Sequence, residues 1–277
     1  LDRGLELNVL YKDQNIRYHV FGQGDDYCLN RKLLSDFVSI NEESNERDSI
    51  IFHKDAWNND EDLLRNADRI ILASDSEWEN IDILHTIQKF FSIKGDLYIY
   101  NSNVRSVATS FGQARDILTP AFVLHNRLTD MALCRHEMFR FYSGEDIGMW
   151  EDISSLAKDM NYSATDHISI KVRIALGNEA PHSPFDEISS EILRKAAAVY
   201  HSADEKEKAR FLALEHERCL RFYKIHNYRF GEKTDDNART SPLVCSFEEL
   251  SEQKKMVAET GWMLLDELAS HKEARRK

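Results

Sequence analysis

Apolar and polar positions follow two different rhythms along this chain. Up to about residue 110, short β-prone runs alternate with helical patterns. Residues 16–21 form a β-prone run ended by Gly22, and residues 30–40 place Leu33, Leu34, Phe37 and Val38 on one helical face. A second strand is predicted over 49–53, a short helix over 61–66 and a buried strand over 69–73. Residues 78–91 carry Trp78, Ile81, Leu84, Ile87 and Phe91 in helical register, and a fourth strand at 96–100 is entered through Gly95. Strands alternating with helices predict a parallel, doubly wound sheet.

The remainder reads as helical. Thr119 and Pro120 form an N-cap and N1 pair, opening a helix to about Tyr142. A helix over 165–176 is stopped by Gly177, and Pro181 and Pro184 mark a linker. Helices follow over 186–200 and 205–226, broken near Ser202. After a loop-rich stretch over 230–244, Ser246 and Glu249 form a capping box ahead of a last helix over 252–272. Trp262, in the middle of that helix beside Gly261, is expected in the core. The fold class is therefore α/β plus α. A Rossmann-like domain spans 1–118, and a helical domain spans 119–277 in two halves, about 119–177 and 186–272.

Composition narrows the function. The 277 residues are 42% hydrophobic, enough for a packed core and against wholesale disorder. The net charge of −12 repels phosphate backbones, which argues against DNA or RNA as partner but leaves room for a small anion in a local basic pocket. Four scattered cysteines without a CxxC give neither a zinc site nor a disulfide framework and point to a reducing, cytosolic compartment. No apolar run approaches the roughly 20 residues that span a bilayer. The chain opens on Leu1, so a piece of a longer protein is expected, with any membrane segment outside it.

Enzymatic motifs are incomplete. Gly22-Gln23-Gly24 follows the first strand, where a dinucleotide fold places its glycine loop, but position 27 is Tyr and Asp25-Asp26 would repel a pyrophosphate. His136-Glu137 and His216-Glu217 suggest HExxH, but Arg140 and Leu220 stand where the second histidine is needed. Cys219 shares a helical face with His216, and a packing cysteine is the simpler account than a nucleophile. No catalytic residue, metal site or cofactor is therefore assigned, and a non-enzyme is expected.

The most ordered signal is Leu214-Glu215-His216-Glu217-Arg218-Cys219, followed by Tyr228-Arg229-Phe230-Gly231-Glu232, Asp235-Asp236, Ser241-Pro242-Leu243-Val244 and Phe247-Glu248-Glu249-Leu250. This resembles the ryanodine-receptor repeat (RyR domain). Cys219 stands in place of the usual Trp, Asn227-Tyr228 in place of Gly-Trp, and Ser241 in place of His. Arg135-His136-Glu137-Met138-Phe139, Trp150-Glu151-Asp152-Ile153 and residues 161–172 resemble a second, shortened copy. Residues 16–118 are similar to the TrkA-type nucleotide-binding-like region that precedes such pairs in bacterial proteins.

The resemblance implies a helical module with a cleft between the copies, where aromatic rings sandwich an adenine-type base. By position the sandwich falls on Phe139 and Cys219, with Tyr223 or Tyr228 standing in for the cysteine. His136, Arg140, His216 and Arg218 complete the implied ligand-binding set, although satisfied helix histidines and surface salt bridges are the plainer readings of these four. The function so implied is sensing of an adenine-type or cyclic nucleotide, signalling to an attached part such as a membrane channel or effector, in a chain that could be a homo-oligomer. A protein-interaction scaffold without a small ligand, and an enzyme using a nucleotide cofactor, stay open beside it.

Overall fold

A computed structural model describes residues 1–8, 14–22, 24–100, 109–111, 127–143, 147–180 and 188–274. The chain is mixed helix and strand with short parallel sheets, in two compact units. One unit joins residues 1–52 to 128–277, and the other is 53–127. The expected boundary near 118 lies outside the described residues, as do the Thr119-Pro120 helix start, the linker prolines and the terminal basic residues.

The single doubly wound sheet expected from the alternation is instead two sheets, one in each unit. In the first, β3 (Asp48–His53) lies between β1 (Arg17–Phe21) and β2 (Val38–Ile40), with β2 parallel to it. Its core is Leu5, Leu34, Val38, Ile50 and Ile225, so helix α1 (Asp2–Asn8) and a C-terminal helix close over the strands. The helix expected over 30–40 is replaced by helix α2 (Asp25–Leu29), a 3₁₀ turn at Leu34–Asp36 and β2. Val38 and Ile40 are β-branched and suit a strand. Asn41 then takes a left-handed φ of 59° and its Oδ1 accepts from the Phe52 N–H, fixing the strand end. At the glycine turn, a Cβ on Gly24 would lie 2.2 Å from the Phe52 ring, so this glycine admits a side chain of the protein's own core.

The unit 53–127 orders its strands β4 (Arg69–Leu72), β5 (Asp96–Tyr100) and β6 (Thr109–Phe111), all parallel. Helix α3 (Glu61–Asn66) starts on Asp60 and helix α4 (Glu77–Phe90) on Ser76, each side chain accepting an N–H three residues on. Leu72, Leu84, Ile87, Leu97 and Ile99 form its core, as the apolar register predicts for Leu84 and Ile87, whereas Trp78 of that register and Ile71 of the strand expected to be buried are exposed. Buried Asn80 holds Ser74 and the Tyr100 carbonyl, tying α4 to the sheet.

The helical part comprises α5 (Arg127–Ser143), α6 (Ser155–Asp166), α7 (Ile168–Leu176), α8 (Ser190–Ser202), α9 (Glu205–Ile225) and α10 (Glu252–Ala274). Ser154, Ser189 and Asp204 cap α6, α8 and α9, and the capping box of Ser246 and Glu249 forms as expected. The helix expected to begin at 165 begins at 155 and is interrupted at His167. Gly177, with φ 54°, ends it as expected. Helices α8 and α9 pack on α10 around Trp262, which is fully buried. Among the described residues no helix is long and apolar enough to cross a membrane.

Candidate functional site

Two histidines brace two hairpins in the same way. On α5, the His136 Nε2–H donates to the Gly148 carbonyl at 3.2 Å; on α9, the His216 Nε2–H donates to the Cys245 carbonyl at 2.8 Å. Burial lowers both imidazole pKa values, which favours the neutral ring. Two residues beyond each carbonyl, an aromatic ring meets the imidazole: Trp150 at 5.7 Å and Phe247 at 6.0 Å. Ile153 and Leu250 follow at equal spacing, and then Ser154 and Ser251, whose hydroxyls accept from the N–H three residues on. The register continues into the next helices, where Met160, Ala164, Ile168 and Val172 are buried at the same steps as Val257, Gly261, Leu265 and Ala269. The returning loop spans 12 positions in one half and 29 in the other, yet the device is the same.

The implied ligand residues divide into three groups. Phe139 is half-buried and packs with Tyr223 against Leu243, Leu250 and Val257, so side chains of both halves meet there. Cys219 lies against Met160, sulfur to sulfur at 3.8 Å, and packs beside Tyr223. Tyr223 and Tyr228 are in ring contact at 5.0 Å, and the Tyr228 hydroxyl donates to Asp236 at 2.6 Å. These four aromatic and thiol side chains line one seam. His136 and His216 brace its loops. The two arginines are committed elsewhere: Arg140 pairs with Glu137 of its own helix at 2.8 Å, and Arg218 is fully buried in an ionic cluster.

That cluster was not legible as a unit. Glu215 on α9 receives Arg218 at 2.8 Å and Lys171 of α7 at 2.9 Å, all nearly without exposure. Arg218 also donates to Ser163 at 2.8 Å and lies 3.9 Å from Glu6 of α1, to which the Ser163 hydroxyl donates. Lys171 donates in addition to the Gly261 carbonyl at 3.0 Å. A Cβ at Gly261 would stand 2.7 Å from the Glu215 carboxylate, so the missing side chain makes room for the anion. Burial pulls Lys171 down to about 8. Burial also opposes the charge of Glu215, but Arg218 and Lys171 outweigh it and hold that carboxylate well below its usual range. For Glu6 burial prevails over Arg218 and Arg3, and its pKa rises.

A third cation, Arg135, enters from α5. The residue is 3% exposed, and its guanidinium donates to Asn161 Oδ1 at 2.8 Å and lies 4.9 Å from the centre of the Phe139 ring. It is within electrostatic reach of Cys219, Arg218, Glu215 and Tyr223. In the register of the two histidines, Arg135 of one half corresponds to Glu215 of the other. The sequence offered that signal, one residue before each His-Glu pair.

His167 sits at the break between α6 and α7. Its Nδ1–H donates to the Ser163 carbonyl, and its buried Nε2 has no partner among the described residues. Burial first, then Arg218 nearby, lowers its pKa from 6.5 to about 3. Below pH 6.5 the unfolded chain takes up a proton that the folded chain refuses, so this contribution to stability is complete above pH 6.5 and falls with pH. Glu6, raised by burial, works in the opposite sense. Wild type is expected to lose about 1.4 kcal/mol more than His167→Gln between pH 7.5 and 5.5, read from urea midpoints. Equal losses in both would remove His167 from the account.

Chemically, the seam offers π faces, a soft sulfur and a buried guanidinium. The Cys219 thiol is pushed up by burial, against the pull of Arg218 and Arg135. Among the described residues no group of three or more His, Cys, Asp and Glu is placed to hold a metal ion. No family model, curated protein or solved structure matches the chain.

Proposed function

We propose that this chain is a non-enzymatic sensor of a small, planar, nucleotide-like ligand taken at the seam between its two His-braced halves. The observation that carries the reading is that Phe139 from one half and Tyr223 from the other pack on the same cluster of Leu243, Leu250 and Val257, with Cys219 and Tyr228 beside Tyr223. Where Cys219 cannot stack, Tyr223 one turn on supplies the second ring, and a base between two rings gains about 1–3 kcal/mol per stack. Binding would order the seam and shift a conformational equilibrium, provided the ligand favours one state over the other. The shift would pass to an attached part, an effector or membrane channel, with this chain on the cytosolic side.

Isothermal titration of the intact chain with adenine nucleotides and with cyclic di- and oligonucleotides tests this. Binding by at least one, weakened about 5–150-fold in Phe139→Ala with the far-UV spectrum retained, is the expected result. Absence of heat with every ligand would overturn it. That result would favour a second reading, a protein-interaction scaffold, for which Ile71, 58% exposed, and the exposed Trp78 and Phe90 of the unit 53–127 are the supporting observation.

A further inference from the structure

We infer that Arg135 is an oxyanion-binding residue, so that the guest at the seam carries a phosphate group set against this guanidinium. The inference deepens the sensor reading and rests on it. Charge is the first ground. Arg135, Lys171 and Arg218 are buried cations of one cluster, and Glu215 and Glu6 are its buried carboxylates. Arg3 reaches Glu6 from the surface and adds a further cation, itself paired with Asp159. Asp48, the other buried carboxylate, is paired with Arg221 outside this cluster. Among the described residues the cluster itself is therefore one negative charge short.

The shortfall falls on one side chain. Lys171 and Arg218 both touch Glu215, whereas Arg135 has no carboxylate partner among the described residues. Among the described residues its one hydrogen-bond partner is the neutral Asn161, its other contact is the Phe139 ring, and its Nε has no hydrogen-bond partner. Lowered by burial though its pKa is, a guanidinium does not give up its proton in a protein. An uncompensated buried cation is costly, and an unpaired buried donor adds to that cost. A bound anion would offset both costs, less the cost of its own desolvation.

Geometry supplies the chemistry of the guest. The free Nε edge belongs to the planar fork that matches phosphate or carboxylate oxygens. The Phe139 ring, 4.9 Å away, is the ring assigned to a stacked base, so a base on Phe139 would hold its phosphate within reach of Arg135. Cys219, within electrostatic reach of Arg135, belongs to a buried apolar cluster with Met160 and Phe222, and a low-dielectric surround of that kind strengthens such a contact.

The experiment compares intact wild type, Arg135→Met and Arg135→Lys in thermal melts, without ligand and with inorganic pyrophosphate, AMP or adenosine. Without ligand, Arg135→Met is expected to melt a few degrees above wild type, because an uncompensated charge is gone; a loss of several degrees would mark Arg135 as structural and overturn the proposal. Pyrophosphate and AMP are expected to raise the wild-type midpoint, and Arg135→Met is expected to lose that gain. AMP should bind wild type at least about tenfold more tightly than adenosine, a preference worth about 1.4 kcal/mol. Arg135→Lys should keep part of it. Equal gains in wild type and Arg135→Met would overturn the role of Arg135 and leave the sensor reading standing. Protection by pyrophosphate alone, with no nucleotide bound, would keep Arg135 and overturn the nucleotide. No gain with any of the three would overturn the oxyanion site.

Discussion

Arg218→Met is expected to cost about 3–5 kcal/mol of stability. Arg218 is the hub of the ionic cluster: its guanidinium donates to both Glu215 oxygens and to Ser163, and it faces Glu6. Methionine fills much of the same volume but leaves Glu6 facing no buried cation, and Glu215 with Lys171 alone. Urea unfolding followed by far-UV circular dichroism reads the effect. Arg218→Lys keeps the charge and loses the fork, and is expected to fall between the two. A loss below about 1 kcal/mol for Arg218→Met would mean that the carboxylates find other partners and that the cluster is not built as described.

Trp262→Ala should cost a similar amount, about 3–5 kcal/mol, by a different route. The indole is stacked on Tyr200 at 5.7 Å with an interplanar angle of 11°, and lies 4.5 Å from Phe211. Its Nε1–H donates to the Phe211 carbonyl at 2.9 Å, so α9 and α10 are joined by a polar bond inside an apolar contact. Alanine opens a cavity where three helices converge and removes that bond. Trp262→Phe keeps most of the volume and should lose about half as much. Equal losses for Ala and Phe would shift the weight from packing to the hydrogen bond.

Much of this architecture was legible where local and tertiary demands agree. The helices over 77–90, 205–225 and 252–274 have apolar residues on one face, and their caps are Ser or Asp side chains set at the right step. Two failures have physical causes. Leu34 and Val38 fit a helical face as well as they fit a sheet core, and the left-handed Asn41 that settles the matter lies beyond them. The start of α6 was missed because its buried face carries Asn161, Ser163 and Thr165, which break the apolar rhythm. Asn161 is polar because it serves Arg135, and Ser163 because it serves Arg218 and Glu6, whereas the Thr165 hydroxyl donates to the Tyr162 carbonyl of its own helix.

The candidate site divides in the same way. Phe139, Cys219 and Tyr223 could be read from helical register and motif. The pairing of Lys171 with Glu215, or of Glu6 with Arg218, joins distant segments, and no spacing rule in a single sequence encodes it. Arg135 and Glu215 stood at matching steps before the two histidines, but their opposite roles depend on what surrounds them.

Gly261 has a consequence for how far the two halves are equivalent. A glycine inside a helix costs about 1 kcal/mol against alanine, and alanine is what the matching step of the first half carries, as Ala164. Restoring a methyl at 261 would improve the helix and drive it into the Glu215 carboxylate. The halves are therefore not interchangeable: substitution there can drift freely in neither direction, and a chimera that copies one half over the other would lose its charged centre before it lost its shape.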